Sequence, residues 1–164
     1  MNNSEEVFEK LEKLNINYKI VEHKAATTTE KADEYIEGHE GVRTKTLFLK
    51  NRKKKNLYLI VMDDEKRVNM KALEKILEDK GLGFCSDELL MEKMKLEPGV
   101  VSLFGLINNE DKDIKIIFDE DVINEEIFTF HANVNTITVF ISKKDMIKFT
   151  EELGYEYKII KIPE

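Results

Sequence analysis

The sequence predicts an α+β fold: a mixed, mostly antiparallel sheet, or a partly closed barrel, flanked by helices. Three observations lead there. Some windows place apolar residues at helical spacing, while others alternate or run as β-branched and aromatic blocks. The two kinds are interspersed without a regular strand–helix–strand repeat, which argues against a doubly wound parallel sheet. The 164 residues are 41 % hydrophobic, enough for one domain over residues 1–164 with a real core.

The elements follow in order. Ser4 can cap a first helix that puts Val7, Phe8, Leu11 and Leu14 on one face, and Asn15 and Asn17 end it. Tyr18 to Glu22 alternates as a strand. Thr27 and Glu30 have capping-box spacing for a helix through Ala32, Tyr35 and Ile36. Lys45–Lys50 and Leu57–Met62 read as strands joined by a basic turn. Asn69 can cap a helix buried through Met70, Leu73, Ile76 and Leu77, and a shorter one runs from Ser86 to about Met94. Gly99 and Gly105 bracket an apolar strand or turn. Ile114–Phe118, Ile127–Phe130 and Ile137–Ile141 are strand-like. Ser142 can then cap a helix carrying Met146, Phe149 and Leu153, with Gly154 as its stop, before a last strand over Tyr157–Ile162.

Composition excludes several classes. No apolar run approaches the roughly 18 residues of a membrane span. Met1 to Glu6 lacks the basic-then-apolar pattern of a secretory signal, so a cytoplasmic protein is expected. Cys85 is the single cysteine, and the three histidines are far apart. Neither a disulfide nor a metal site of the usual Cys/His kind is therefore expected, and no cofactor. Phosphate-binding loops, dinucleotide fingerprints and nucleophile motifs are absent, and Cys85 reads as a core residue. Asp63–Asp64 and Glu110–Asp111 read as solvated turns. His23 could line a cleft or be structural.

Charge is more informative. The chain carries −7 overall, yet Arg43, Lys45, Lys50, Arg52, Lys53, Lys54 and Lys55 follow one another with no acid between them. A local cationic excess on an acidic protein suggests an anion held at one place. Three segments could carry chemistry there. In Lys45-Thr46-Leu47-Phe48-Leu49 the lysine either snorkels to solvent or aims its ammonium into a cleft, to neutralise a phosphate or polarise a carbonyl. In the stretch from Pro98 to Asn109, Gly99 and Gly105 allow close backbone approach, Val100 to Ser102 offer amides and Ser102 a hydroxyl; a hairpin would use the same residues for its turns. In the third, His131, Asn133, Asn135 and Thr136 form a polar cluster that either hydrogen-bonds a ligand or caps its own loop.

In this order and spacing, the three segments resemble the YbaK/ProX family of aminoacyl-tRNA deacylases. Lys45–Leu49, Gly99–Ser102, Phe104–Asn109, Phe130–His131 and Asn135–Thr136 carry the likeness. His23–Thr28 adds to it, and the match covers Val7 to about Ile160. Gly-Leu-Ile-Asn-Asn and Phe-His…Asn-Thr look closer to the free-standing alanyl-tRNA(Pro) deacylases, including PrdX-like proteins. The resemblance implies a mixed α/β domain that hydrolyses the ester joining a wrong amino acid to proline tRNA. Lys45 is its activity-linked residue, and Gly99, Val100, Val101, Ser102 and Phe104 shape the aminoacyl pocket. His131, Asn135 and Thr136 would orient substrate or water. Arg43, Lys50 and Arg52 to Lys55 would hold the tRNA acceptor end by weak, salt-sensitive contacts. Leu103 stands where the family often has proline. Cysteinyl-tRNA(Pro) or another small aminoacyl ester is an alternative substrate. A non-enzymatic alternative is a module that binds tRNA or prolyl-tRNA synthetase, the latter also a candidate partner of the enzyme.

Overall fold

The computed structural model describes residues 3–164; Met1 and Asn2, part of the N-terminal stretch read above, lie outside it. Helix α1 (Asn3–Lys13) leads into β1 (Lys19–Glu22), and α2 (Thr29–Tyr35) precedes β2 (Thr44–Lys50) and β3 (Leu57–Asp63). Next come α3 (Met70–Leu77), a two-residue strand β4 (Gly83–Phe84) and α4 (Asp87–Met94). A 3₁₀ helix (Leu103–Asn108) follows, then β5 (Ile114–Asp119), β6 (Ile127–His131), β7 (Ile137–Ser142), α5 (Lys143–Glu152) and β8 (Tyr157–Ile160).

The strands make two sheets and no closed barrel. One is antiparallel, ordered β1-β7-β6; the other is mixed, ordered β4-β2-β3-β5-β8, with β5 parallel to both β3 and β8. Because β3 is central and covered on both faces, it reads as an unbroken apolar run. Leu57, Leu59 and Val61 enter the larger core, while Tyr58, Ile60 and Met62 enter a smaller one with Leu73 of α3. Among the described residues, no helix is long and apolar enough to cross a membrane.

Local chemistry sets most boundaries. Asn69, Ser86 and Ser142 cap α3, α4 and α5 by accepting from backbone N–H groups one turn on. At α2 the cap is Thr28, which accepts from Lys31 N, one residue later than the Thr27 expected. The segment between Gly99 and Asn109 is no strand or hairpin. Ser102 accepts from Phe104 N and opens the 3₁₀ turn, leaving Leu103, Phe104 and Leu106 buried on several sides.

The sheets meet where β2 begins. Val42 bridges Phe128, Thr44 Oγ1 donates to the Thr129 carbonyl (3.2 Å) and Thr129 Oγ1 donates to the Val42 carbonyl (2.9 Å). A Cβ at Gly41 would lie 2.9 Å from Thr129 Cγ2, so only glycine lets the chain pass this close. This seam positions the site.

Candidate active site

A cleft of about 210 Å³ opens at the seam. The short helix α2 turns Ala32, Asp33 and Ile36 toward it, a set on one helical face. β2 lines it from Thr44 to Leu47, the loop before the 3₁₀ helix adds Gly99 and Val101, and β6 and β7 add Thr129, Phe130, His131 and Thr138. Gly99 has φ +88°, a left-handed conformation that leaves bare backbone at the lip.

Lys45 does not snorkel away. Its Nζ donates to the backbone carbonyl of Lys66, in the loop after β3. An ammonium has three donors, so two remain for whatever enters. The anchoring loop is itself fixed from inside. Lys66 Nζ bonds both oxygens of Asp119 (3.1 and 3.0 Å) and reaches Asp121 at 2.9 Å. Asp119 is fully buried and also accepts from the backbone N–H groups of Asp121 and Ile162. Burial works against the Lys66 charge, but bonds to Asp121 and Asp119 outweigh it and raise the pKa. One chain of polar contacts therefore runs from Asp119 through Lys66 to Lys45.

Beside Lys45 lies a carboxyl that is no solvated turn. Asp64 Oδ2 is buried and meets no donor among the described protein groups. Burial, a hydrogen bond with Asp33, and the charges of Asp33 and Asp63 push Asp64 from 3.8 up to about 7, against the pull of Lys45. The folded-state pKa is the raised one. The resulting stability is complete below about pH 4 and is lost as pH rises through about 7. Asp64→Asn is expected to raise the melting temperature more at pH 8 than at pH 4. Equal shifts at both pH values would show that this carboxyl does not titrate as described.

The far wall is imidazole and hydroxyl. Burial first, then the nearby His23, lowers the His131 pKa, which favours the neutral ring at pH 7, and Nδ1 is buried with no partner among the described residues. His23 Nδ1 lies 2.8 Å from the Lys24 carbonyl and Nε2 2.9 Å from Thr138 Oγ1. A carbonyl only accepts, so Nδ1 carries hydrogen and, in the neutral ring, Nε2 accepts the threonine hydroxyl. His23 therefore orients a residue of the cleft wall.

The structure brings Lys45, Gly99, Val101 and His131 together at the cleft and places the other expected residues elsewhere. Val100 is buried, and its N–H is committed to the Glu97 carbonyl. Ser102 is fully buried; its hydroxyl donates to the His131 carbonyl (2.8 Å), so it holds His131 from beneath. Phe104, expected as pocket wall, is a core ring packed edge-on against Phe130 and Phe149, and Phe130 takes the wall. Asn135 and Thr136 lie outside the lining; their carbonyls accept from Ala26 N and His23 N and clip the β1–α2 segment to the β6–β7 loop. Asn133 is 2 % exposed with φ +59°, and among the described residues neither end of its amide finds a partner.

Arg43 is not part of a free cationic surface. Its guanidinium donates to the carbonyls of Gly41, Ile36 and His39 and closes the α2–β2 loop. Arg52, Lys53, Lys54 and Lys55 are exposed on the β2–β3 turn. Asp79 braces that turn by accepting from Asn51, Asn56 and Tyr58. Lys45 and Lys50 are at opposite ends of β2, about 16 Å apart. Burial pushes the Cys85 thiol up to about 12 despite Lys50 and Lys54, so it is no nucleophile at neutral pH. Among the described residues, no three His, Cys, Asp or Glu side chains gather to hold a metal ion.

The comparisons with known proteins agree on one relationship. Residues 23–149 match the aminoacyl-tRNA editing domain family. Over 162 residues, 99 % of each chain, the sequence is 30 % identical to the prolyl-tRNA editing protein ProX of Acetoanaerobium sticklandii. It is 29 % identical over 156 residues to prolyl-tRNA synthetase associated domain-containing protein 1 of Mus musculus, covering 92 % of this chain and 91 % of the relative. Among solved structures, hypothetical protein APE2540 superposes with TM-score 0.78 at 13 % identity, covering 97 % of this chain and 99 % of its own. A candidate trans-editing enzyme for prolyl tRNA synthetase gives 0.76 at 17 %, covering 100 % and 98 %. At those identities the structural likeness speaks for the fold alone.

Proposed function

The chain belongs to the aminoacyl-tRNA editing domain family, and we propose that it is a trans-editing hydrolase that deacylates alanyl-tRNA(Pro) in the cytoplasm. The observation that carries this reading is Lys45, anchored by one donor with two left over, in a cleft of about 210 Å³. That volume is below the roughly 300–1,000 Å³ of ordinary small-molecule sites. It favours a small acyl group, and the family model supplies the ester.

An ester carbonyl polarised by a fixed ammonium, with an oriented water or the neighbouring ribose hydroxyl as attacker, needs little more from the protein. Lys45 supplies the positive charge for the developing oxyanion or for the terminal phosphate. His131, neutral and at the wall, is placed to orient the attacker. Val101 and Phe130 limit the side chain that fits. One methylene is worth only about 1–3 kcal/mol in such a pocket, so discrimination between alanine and cysteine is modest. Lys50 and Arg52 to Lys55, about 16 Å along β2, meet the acceptor strand upstream of the ester.

The test is ester loss from alanyl-, cysteinyl- and prolyl-tRNA(Pro) at low and raised salt. Fast loss of alanine, slower loss of cysteine, none of proline and a Michaelis constant that rises with salt are expected. Spontaneous rates with all three would overturn the reading.

A further inference from the structure

We infer that Asp33 is the specificity residue that receives the α-ammonium of the aminoacyl ester, so that the cleft selects charged aminoacyl groups over uncharged acyl groups of the same size. The inference rests on the ester-hydrolase reading above and adds to it the part of the substrate that Lys45 and the apolar walls leave unread.

The argument starts from charge. An aminoacyl ester carries a primary ammonium on the carbon next to its carbonyl. Any pocket that puts the carbonyl near the Lys45 ammonium brings two positive charges into one small space, and a counter-charge must be nearby. Among the described residues Asp33 is the one carboxylate lining the cleft; the other polar side chains there are the threonines, His131 and Lys45 itself. On the same short helix Lys31 pairs with Glu34 at 3.2 Å, on the exposed side. Asp33 makes no ion pair with a lysine, arginine or histidine among the described residues.

Asp64 completes the arrangement from behind. Asp33 is among the groups that raise the Asp64 pKa, so the two carboxyls are neighbours, and Asp33 is the member that lines the cleft. Lys45 and Asp33 line the same cleft, which places carbonyl activator and cation receptor within one small space. The neighbouring hydroxyls of Thr44 and Thr46 are short and neutral, and they fix no charge of their own.

The experiment compares alanyl-tRNA(Pro) with its lactyl counterpart, in which a hydroxyl replaces the ammonium at equal size. For the natural protein, kcat/KM is expected to favour the alanyl ester by about 10- to 100-fold, the range of a charge-assisted hydrogen bond. Asp33→Asn should bring the ratio toward one by slowing the alanyl ester more than the lactyl ester. Because both esters share every other contact, a merely misfolded variant lowers both together, and Asp33→Glu should recover part of the preference. A natural protein that hydrolyses both esters equally fast overturns the inference while the hydrolase reading stands. So does an Asp33→Asn ratio equal to that of the natural protein. Failure of the natural protein on both esters removes the hydrolase reading and this inference with it.

Discussion

Lys45→Ala is expected to lower kcat/KM for the aminoacyl ester by about 10²- to 10³-fold, the cost of losing one fixed donor to a developing oxyanion. The melting temperature should hardly move. Lys45 is half-buried, and the one hydrogen bond it makes among the described residues goes to a backbone carbonyl. Lys45→Arg should not rescue the rate. A planar guanidinium fills the narrow entry and cannot keep the Lys66 carbonyl while presenting compact donors inward. Single-turnover deacylation beside a thermal melt checks both halves. The kinetic split is also informative: a fall in kcat places the ammonium on the carbonyl, whereas a rise in KM alone places it on the phosphate or ribose. Unchanged turnover would remove Lys45 from the chemistry.

What the sequence disclosed follows a physical division. Caps at Asn69 and Ser142 were legible because a side chain bonding the backbone three residues on is a local event. Strands β2 and β3 were legible because their apolar runs end in turn residues. The segment after Gly99 was not. Leu103 to Leu106 is buried on more than one side, so no period of two or 3.6 shows through. Lys45 stood out by its charge in an apolar strand, and His131 by its polar neighbours. Asp33 and Asp64 carried no such signal, because only the folded chain brings helix α2 against the end of β3. Arg43 shows the converse: its charge is visible in sequence, but the three carbonyls it bonds are not.

The larger expected loss of stability lies outside the cleft, at Asp119. Asp119→Ala strands the Lys66 ammonium in a site where that side chain is 8 % exposed and Asp119 itself 0 %. It also frees the N–H groups of Asp121 and Ile162. Removing one partner of a buried pair costs about 3–5 kcal/mol, which for a chain of this size lowers the melting temperature by roughly 10 °C. Asp121 still holds Lys66 at 2.9 Å and sets the lower end of that range. The pair earns little on its own account, since well-packed apolar replacements of both partners are often neutral. Lys66→Met with Asp119→Leu should therefore recover the part of the stability that Asp119→Ala loses by stranding the Lys66 ammonium, while the N–H groups of Asp121 and Ile162 stay unpaired. Activity should not recover with it. Without the Lys66–Asp119 tie the loop after β3 loses the restraint that aims the Lys66 carbonyl at Lys45, and the two spare donors of that ammonium lose their direction. A double variant that melts above Asp119→Ala but turns over slowly is the expected result, read from melting curves and single-turnover rates on the same preparation. Full activity in that variant would mean that the Lys45 anchor is set by β2 alone. Stability and catalysis would then be separable at this loop, and the buried carboxylate would serve only the fold.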